Sequence, residues 1–115
     1  MNKYAIGAIA VVGIALAAFA QPAPLTVNGE IGENATVEGV VDEVYTAHRS
    51  GATFLDMGGT YPNNSFTAVI WPEDAAKFSG LTALEGKKVV ITGRLRLYNG
   101  KQEIILRNSN QLKTD

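Results

Sequence analysis

The residues of this chain best suited to binding chemistry lie near its C-terminus, in residues 84–106, LEGKKVVITGRLRLYNGKQEIIL. Apolar and polar residues alternate along this stretch, which is the pattern of β-strands with one buried and one exposed face. The alternation puts the apolar residues on one face: Val89, Ile91, Leu95 and Leu97. The Asn99-Gly100 pair between the two runs is a strong signal for a tight hairpin turn. The exposed face therefore combines cations with an aromatic ring: Lys88, Arg94, Arg96, Tyr98 and, after the turn, Lys101.

Cations beside aromatic rings are what binding of single-stranded nucleic acid requires, because cations contact the phosphates and each base stacked on a ring contributes ~1–3 kcal/mol. Phe54, from an earlier strand pattern, and Tyr98 are the candidate stacking rings. Arg94, Arg96 and Lys101 are the candidate phosphate contacts. These five residues form the predicted nucleic-acid-binding site.

The alternative for each of these residues is an ordinary role in the fold. Phe54 would cover the core, and Tyr98 would pair with Lys101 across the hairpin, a contact that stabilises the turn by a few tenths of a kcal/mol. Arg94 and Arg96 would lie on a solvated sheet face and pair with acidic residues of the first long strand, Glu38 and Asp42.

Catalysis and metal binding find little support in the sequence. The chain has no Cys and a single His, His48, which excludes thiol chemistry and most structural zinc sites. Asp42 and Glu43 are adjacent in a strand and so point to opposite faces, and Glu73-Asp74 suits the start of a helix. No nucleophile with a matching base and no glycine-rich phosphate loop is present. We therefore expect a non-enzymatic protein that has neither a metal nor a cofactor.

Opposite charges are concentrated in the two halves of the chain. Residues 21–76 contain one basic and eight acidic residues, whereas residues 77–115 contain eight basic and three acidic ones. The two halves either neutralise each other once the chain folds or leave a basic face on an otherwise acidic domain.

The first 20 residues predict a secretory signal peptide. Lys3 precedes an apolar run, and Ala18 and Ala20 fit the small-x-small rule for cleavage before Gln21. The run is slightly shorter than the ~20 apolar residues that span a bilayer, and retention as an N-terminal anchor is the alternative. We expect a periplasmic or secreted protein, cleaved after Ala20 and not inserted in the membrane thereafter.

A spacer rich in Pro, Gly and Asn follows, residues 21–34, with residues 25–27 as the part that can be ordered. The remaining pattern over residues 35–113 predicts one all-β domain with one short helix. Gly39 within the first strand predicts a bend or a close backbone approach. The third strand is apolar on both faces and should be central, with Phe66 and Trp71 in the core. The strand patterns are residues 35–46, 52–58, 66–71, 87–98 and 101–108, with the helix at residues 72–80. This order predicts a five-stranded Greek-key OB-fold barrel, with a flatter sheet packed on one helix as the alternative.

Residues 36–112 also resemble known OB-fold proteins. VEGVVDEV and SGATFLDMGG resemble the opening strands of the anticodon-binding type of OB-fold nucleic-acid-binding domain. The segments YPNNSFTAVIW, LEGKKVVITGRL and YNGKQEIILRNSNQL are similar to small bacterial proteins described as OB-fold or DNA-binding-like. In the anticodon-binding type, an aromatic residue on the second strand stacks a base, and FLDM places Phe54 at that position, with Asp56 two residues on. Gly58-Gly59 replaces the family's basic-acidic pair, so the resemblance implies little sequence-specific readout.

The expected function is therefore binding of single-stranded nucleic acid with low sequence specificity. Two alternatives use the same face. One is a structural or protein-interaction module of the cell envelope with a protein partner, and the other is binding of an oligosaccharide or anionic polymer. OB-folds serve all of these roles.

Overall fold

The computed structural model describes residues 24–114, so the predicted signal peptide lies outside the described residues. Eight strands and three short 3-10 turns make up this part of the chain. The strands are β1 (Thr26–Asn28), β2 (Asn34–Thr46), β3 (Thr53–Met57), β4 (Phe66–Ile70), β5 (Lys88–Arg94), β6 (Arg96–Tyr98), β7 (Lys101–Ile105) and β8 (Leu112–Thr114). The 3-10 turns are Pro72–Lys77, Leu81–Leu84 and Ser109–Gln111.

The strands form one sheet in the order β6-β7-β4-β3-β2-β5-β8, with β1 paired to β2. β2, β3 and β4 form an antiparallel meander, and β4 also pairs in parallel with β7. The long strand β2 has two partners, because residues 34–40 pair with β5 and residues 41–46 pair with β3. A register shift between Val41 and Glu43 marks the change of partner.

The core lies on the inner face of this sheet. Period-2 alternation sends Val37 and Val41 of β2, Leu55 and Met57 of β3, and Phe66 of β4 inward, and all five are 0% exposed. Burial of each such side chain contributes about 1.5–3 kcal/mol. The same core cluster includes Ala68, Ile70, Leu84, Val89, Ile91, Leu95, Ile104 and Leu106. β4 lies between β3 and β7, which confirms the prediction that it is central.

The prediction of an all-β chain with few helical residues is confirmed, but the prediction of a closed five-stranded barrel is wrong. The described residues form eight strands in an open order. One reason is that the predicted strand at residues 87–98 is interrupted at Leu95. The Leu95 N–H donates to the Glu33 carbonyl (2.9 Å), and the Leu95 carbonyl accepts from the Gly32 N–H (2.7 Å). The 30–33 loop therefore takes the backbone groups that would have continued the strand.

The predicted helix at residues 72–80 is also shorter than expected. It is a 3-10 turn, Pro72–Lys77, with Pro at its start and Glu73 and Asp74 in its first turn. A second 3-10 turn follows at Leu81–Leu84. Among the described residues no helix is long and apolar enough to cross a membrane.

The folded unit includes residues that the sequence assigned to a spacer. β1 pairs with residues 36–38 of β2, and Leu25 and Val27 pack against the core. Gly39 allows this packing, because a Cβ there would lie 3.0 Å from Leu25 Cδ1 and 3.4 Å from the Pro24 carbonyl oxygen. The predicted close approach at Gly39 is thus confirmed, while the sheet's irregularity lies two residues later, after Val41.

Candidate functional site

A polar row crosses the outer face of the sheet, on the side opposite the core. Strand register places Glu43 of β2 opposite Asp56 of β3, and Asp56 opposite Thr67 of β4. Thr67 lies opposite Glu103 of β7, and Glu103 opposite Arg96 of β6. Two neighbouring pairs of the row are bonded: Thr67 Oγ1 donates to Asp56 Oδ1 (3.2 Å), and Arg96 Nε lies 3.2 Å from Glu103 Oε1.

Aromatic rings flank this polar row. Tyr45 is two residues from Glu43 on β2, and Phe54 is two residues from Asp56 on β3. The two aromatic residues are direct cross-strand partners, and their ring centroids lie 6.4 Å apart at an interplanar angle of 20°. Tyr98 extends from the β6–β7 hairpin, and Tyr61 extends from the loop between β3 and β4. Tyr45, Tyr61 and Tyr98 are exposed, while Phe54 is half-buried.

Together these residues enclose a cleft of about 760 Å³. Its walls are the four rings, three carboxylates and one ammonium group, joined by small polar residues. An open cleft lined by aromatic faces with a few fixed polar groups is typical of a small-molecule or polymer-binding site. The lining residues are Glu43, Tyr45, Phe54, Asp56, Tyr61, Pro62, Thr67, Tyr98, Asn99, Lys101, Gln102 and Glu103.

Two of the carboxyl groups are perturbed by their surroundings. Burial raises the pKa of Asp56; the Thr67 hydroxyl and Lys101 oppose this rise, and Glu43 adds to it. Burial also raises the pKa of Glu103, and Arg96 partly offsets the effect. Both residues are less than a tenth exposed, which explains why desolvation is the largest cause.

The raised pKa of Asp56 predicts a pH-dependent effect of Asp56→Asn on stability. Between the unfolded and folded pKa values the native state binds more protons than the unfolded state, so the free energy of unfolding falls as pH rises through that window. Asn cannot ionise and removes this term. We compare the free energy of unfolding of Asp56→Asn with that of wild type at each pH. The difference, variant minus wild type, should therefore be most positive at neutral pH. It should become smaller as pH falls toward about 4. Urea denaturation at several pH values measures this difference, and a pH-independent difference would contradict it.

The cations beside the cleft are engaged within the protein. Lys101 Nζ donates to the Pro62 carbonyl and to Asn64 Oδ1 (2.9 Å), and it lies 5.4 Å from the centroid of the Tyr61 ring. Arg96 is paired with Glu103, and its guanidinium carbon lies 5.8 Å from the centroid of the Tyr98 ring. A ligand entering the cleft thus meets carboxylates and rings more readily than an unsatisfied cation.

The structure brings four of the five predicted site residues together. Phe54, Tyr98 and Lys101 line the cleft, and Arg96 adjoins it through Glu103. Arg94 is exposed on β5 opposite Asn34, and it is not among the described residues that line the cleft. Within residues 24–114, no arginine is seen to pair with Asp42: Asp42 Oδ2 accepts from the Gly59 N–H (2.8 Å), and Arg96 pairs with Glu103.

Sequence reasoning did not identify Tyr45 or the acidic side of the cleft. A signal was available, because Glu43 and Tyr45 on one strand repeat the two-residue spacing of Phe54 and Asp56 on the next. Side chains two residues apart in a strand share a face, so consecutive strands with the same pair can place both pairs side by side. Comparison with known protein families, with curated proteins and with solved structures finds no match to this chain.

Proposed function

We propose that the protein is a non-enzymatic binding module whose cleft holds a neutral oligosaccharide. The observation that carries this proposal is the composition of the cleft: four aromatic rings surround a row of hydrogen-bond acceptors, while the neighbouring cations are engaged internally. Flat apolar surface and fixed acceptors are the two features that a sugar chain uses, and an unsatisfied cation is not needed.

The rings suit the faces of sugar rings. The faces of aromatic rings carry negative charge density, and the C–H groups on one face of a pyranose are weakly positive and apolar. Tyr45 and Phe54 offer a continuous surface because they are near-parallel neighbours. Tyr98, across the polar row, offers a second surface, so a chain of sugar rings crossing the cleft would contact both.

The acceptors suit the hydroxyl groups of the same ligand. Carboxylate oxygens accept hydrogen bonds without donating any when ionised. Glu43, which is half-buried, lies next to the ring pair, so hydroxyls at the edge of a bound sugar can donate to it. Asp56 is 4% exposed and already accepts hydrogen bonds from Thr67 and Asn64. Hydrogen bonds to charged groups are worth about 1.5–3 kcal/mol each. This term would orient the sugar on the rings.

The charge of the cleft disfavours a polyanion. Three carboxylates, Glu43, Asp56 and Glu103, line it together with one ammonium group, Lys101, and Arg96 at its edge pairs with Glu103. Carboxylates therefore outnumber cations by three to two. Proteins that hold single strands instead follow the phosphates with a positively charged groove. A neutral polymer avoids this repulsion.

We also propose that the sheet is an open variant of the OB arrangement. Support comes from the β2–β3–β4 meander, the parallel pairing of β4 with β7, and the antiparallel pairing of β2 with β5. The cleft lies on β3 and β4 and reaches the β6–β7 hairpin at Asn99. OB-folds bind oligosaccharides and oligonucleotides on the corresponding face and loops.

Single-stranded nucleic acid is the second candidate, and one observation favours it. Tyr45, Phe54 and Tyr98 provide several ring faces in one cleft, which suits stacked bases as well as sugars. In this case the bases would enter the cleft and the phosphates would stay outside, near Arg96.

A titration of the purified protein separates the two candidates. Chitotetraose and cellotetraose, followed by calorimetry, are expected to bind with a dissociation constant that changes little between about 0.05 M and about 0.5 M salt, because no counterions are released. Fluorescently labelled oligo-dT, followed by anisotropy, is expected to bind more weakly than the tighter of the two sugars.

The reverse ranking would overturn the oligosaccharide proposal. Tighter binding of oligo-dT, weakening steeply as salt is raised, would show that the site follows phosphates and would support the nucleic-acid candidate. If neither polymer binds, both candidates are wrong, and a protein partner becomes the hypothesis to test. The predicted export signal agrees with an encounter with extracellular or cell-wall glycans.

A further inference from the structure

The loop between β3 and β4, residues 58–65, forms one wall of the cleft and carries Tyr61. Its two ends are held by backbone contacts: the Gly59 N–H donates to Asp42 Oδ2 (2.8 Å), and the Ser65 N–H donates to the Met57 carbonyl (3.1 Å). Tyr61 itself is 73% exposed, so core packing contributes little to its position. Another contact must therefore fix the tip of the loop.

Lys101 supplies that contact from β7. Its ammonium group donates to the carbonyl of Pro62 and to Asn64 Oδ1, and lies over the ring of Tyr61. Hydrogen bonds from a charged donor are about twice as strong as neutral ones, and a cation over a Tyr ring adds attraction. One side chain thus contacts three residues of the loop, Tyr61, Pro62 and Asn64.

Asn64 fixes the other side of the same contact. Its side chain is 4% exposed, and Nδ2 lies within hydrogen-bond distance of the Phe66 carbonyl (3.0 Å), Thr67 Oγ1 (2.7 Å) and Asp56 Oδ1 (3.3 Å). The amide nitrogen donates to these acceptors, and this fixes the orientation of the amide group. The amide oxygen is then on the side of Lys101, from which it accepts a hydrogen bond. Asn64 is therefore the part of the loop that is fixed to the sheet, and Lys101 joins Tyr61 and Pro62 to it.

We propose that Lys101 is a positioning residue, which holds Tyr61 against the cleft as a fourth ring and does not contact the ligand itself. This inference rests on the proposed function, since Tyr61 matters only if the cleft binds a ligand. It differs from the role that the sequence predicted for Lys101, a direct phosphate contact. Two of the three donors of Lys101 are engaged by the loop, so on this proposal a ligand gains from Lys101 through Tyr61.

A double-mutant cycle tests this assignment. Lys101→Met removes the charge and keeps the stem, Tyr61→Ala removes the ring, and a third variant combines them. Each single variant is expected to weaken chitotetraose binding about tenfold, and the combined variant is expected to bind no more weakly than Tyr61→Ala. Lys113→Met, on exposed β8, is the matched control and should leave the affinity unchanged. If the loss of affinity in the combined variant equals the product of the two single losses, Lys101 contacts the ligand directly. That result would overturn the proposal.

A second measurement needs no ligand. In protein labelled with 3-fluorotyrosine, the ¹⁹F resonance of Tyr61, assigned from the Tyr61→Phe variant, should shift and change in width in Lys101→Met and stay as in wild type in Lys113→Met. An unchanged Tyr61 resonance in Lys101→Met would overturn the positioning role. If wild type binds no sugar and no oligo-dT, the proposed function fails, and the ¹⁹F comparison still decides whether Lys101 holds the loop.

Discussion

Leu55→Ala is expected to lower the free energy of unfolding by about 2–5 kcal/mol, the range for large-to-small substitutions in well-packed cores. Leu55 is 0% exposed at the centre of β3, where it packs within the main core cluster. Its removal leaves a cavity beneath the strand that carries Phe54 and Asp56. Domains of this size are stable by only about 5–15 kcal/mol, so this loss is a large fraction of the total.

Leu97→Ala is the matched control for that substitution. Leu97 is also a strand leucine, but it is 55% exposed on the short strand β6. Its truncation should change the free energy of unfolding by less than about 1 kcal/mol. Urea denaturation followed by circular dichroism measures both variants. Equal losses would contradict the described burial and would indicate that Leu97 is covered in solution, for example by a second copy of the chain.

Leu97 and its neighbour Leu95 show where sequence patterns stop being informative. Alternation predicted that Leu95 and Leu97 share a buried face, yet Leu95 is 1% exposed and Leu97 is 55% exposed. The backbone of Leu95 bonds to the 30–33 loop, about sixty residues earlier in the chain, and this contact interrupts the strand. A contact between distant segments is invisible to a local periodicity, because local patterns report only on near neighbours.

The strands themselves were largely predictable, since their signals are local. β3 and β4 were expected from alternating or continuous apolar runs, and Asn99 adopts the expected positive φ (51°) in the turn between β6 and β7. Trp71 was interpreted as core but is 40% exposed. Phe66, Ala68 and Ile70 of β4 face the core, so period-2 alternation places the following residue, Trp71, on the outer face.

The candidate site was half predictable for a related reason. Phe54, Tyr98 and Lys101 were identified because each stands in a local motif: an aromatic-apolar-acidic run or a hairpin. Glu43, Tyr45 and Thr67 join them only through the register of β2, β3 and β4. The shift after Val41 decides which residues of β2 face Asp56. A slip of one residue exchanges the two faces of a strand, and the sequence does not specify that shift.

Loss of two rings should have the largest effect on binding. The variant Phe54→Ala/Tyr98→Ala is expected to bind chitotetraose about 100-fold more weakly than wild type, because each aromatic anchor in such a contact is worth more than about 1 kcal/mol. The two rings lie on opposite sides of the polar row, so their losses should add if each contacts a different sugar unit. Trp71→Ala, an exposed aromatic that is not among the described residues lining the cleft, should leave the affinity unchanged.

Calorimetry on the two single variants then locates the ligand within the cleft. Equal losses from Phe54→Ala and Tyr98→Ala place the sugar chain across the polar row, as proposed. Loss from Phe54→Ala alone confines it to the side of Tyr45 and would remove the β6–β7 hairpin from the site. Unchanged affinity in the double variant, with the fold intact by circular dichroism, would rule out the aromatic cleft as the binding site. Phe54 is half-buried and Tyr98 is 55% exposed, so neither truncation opens a cavity in the main core, and the binding result stays interpretable.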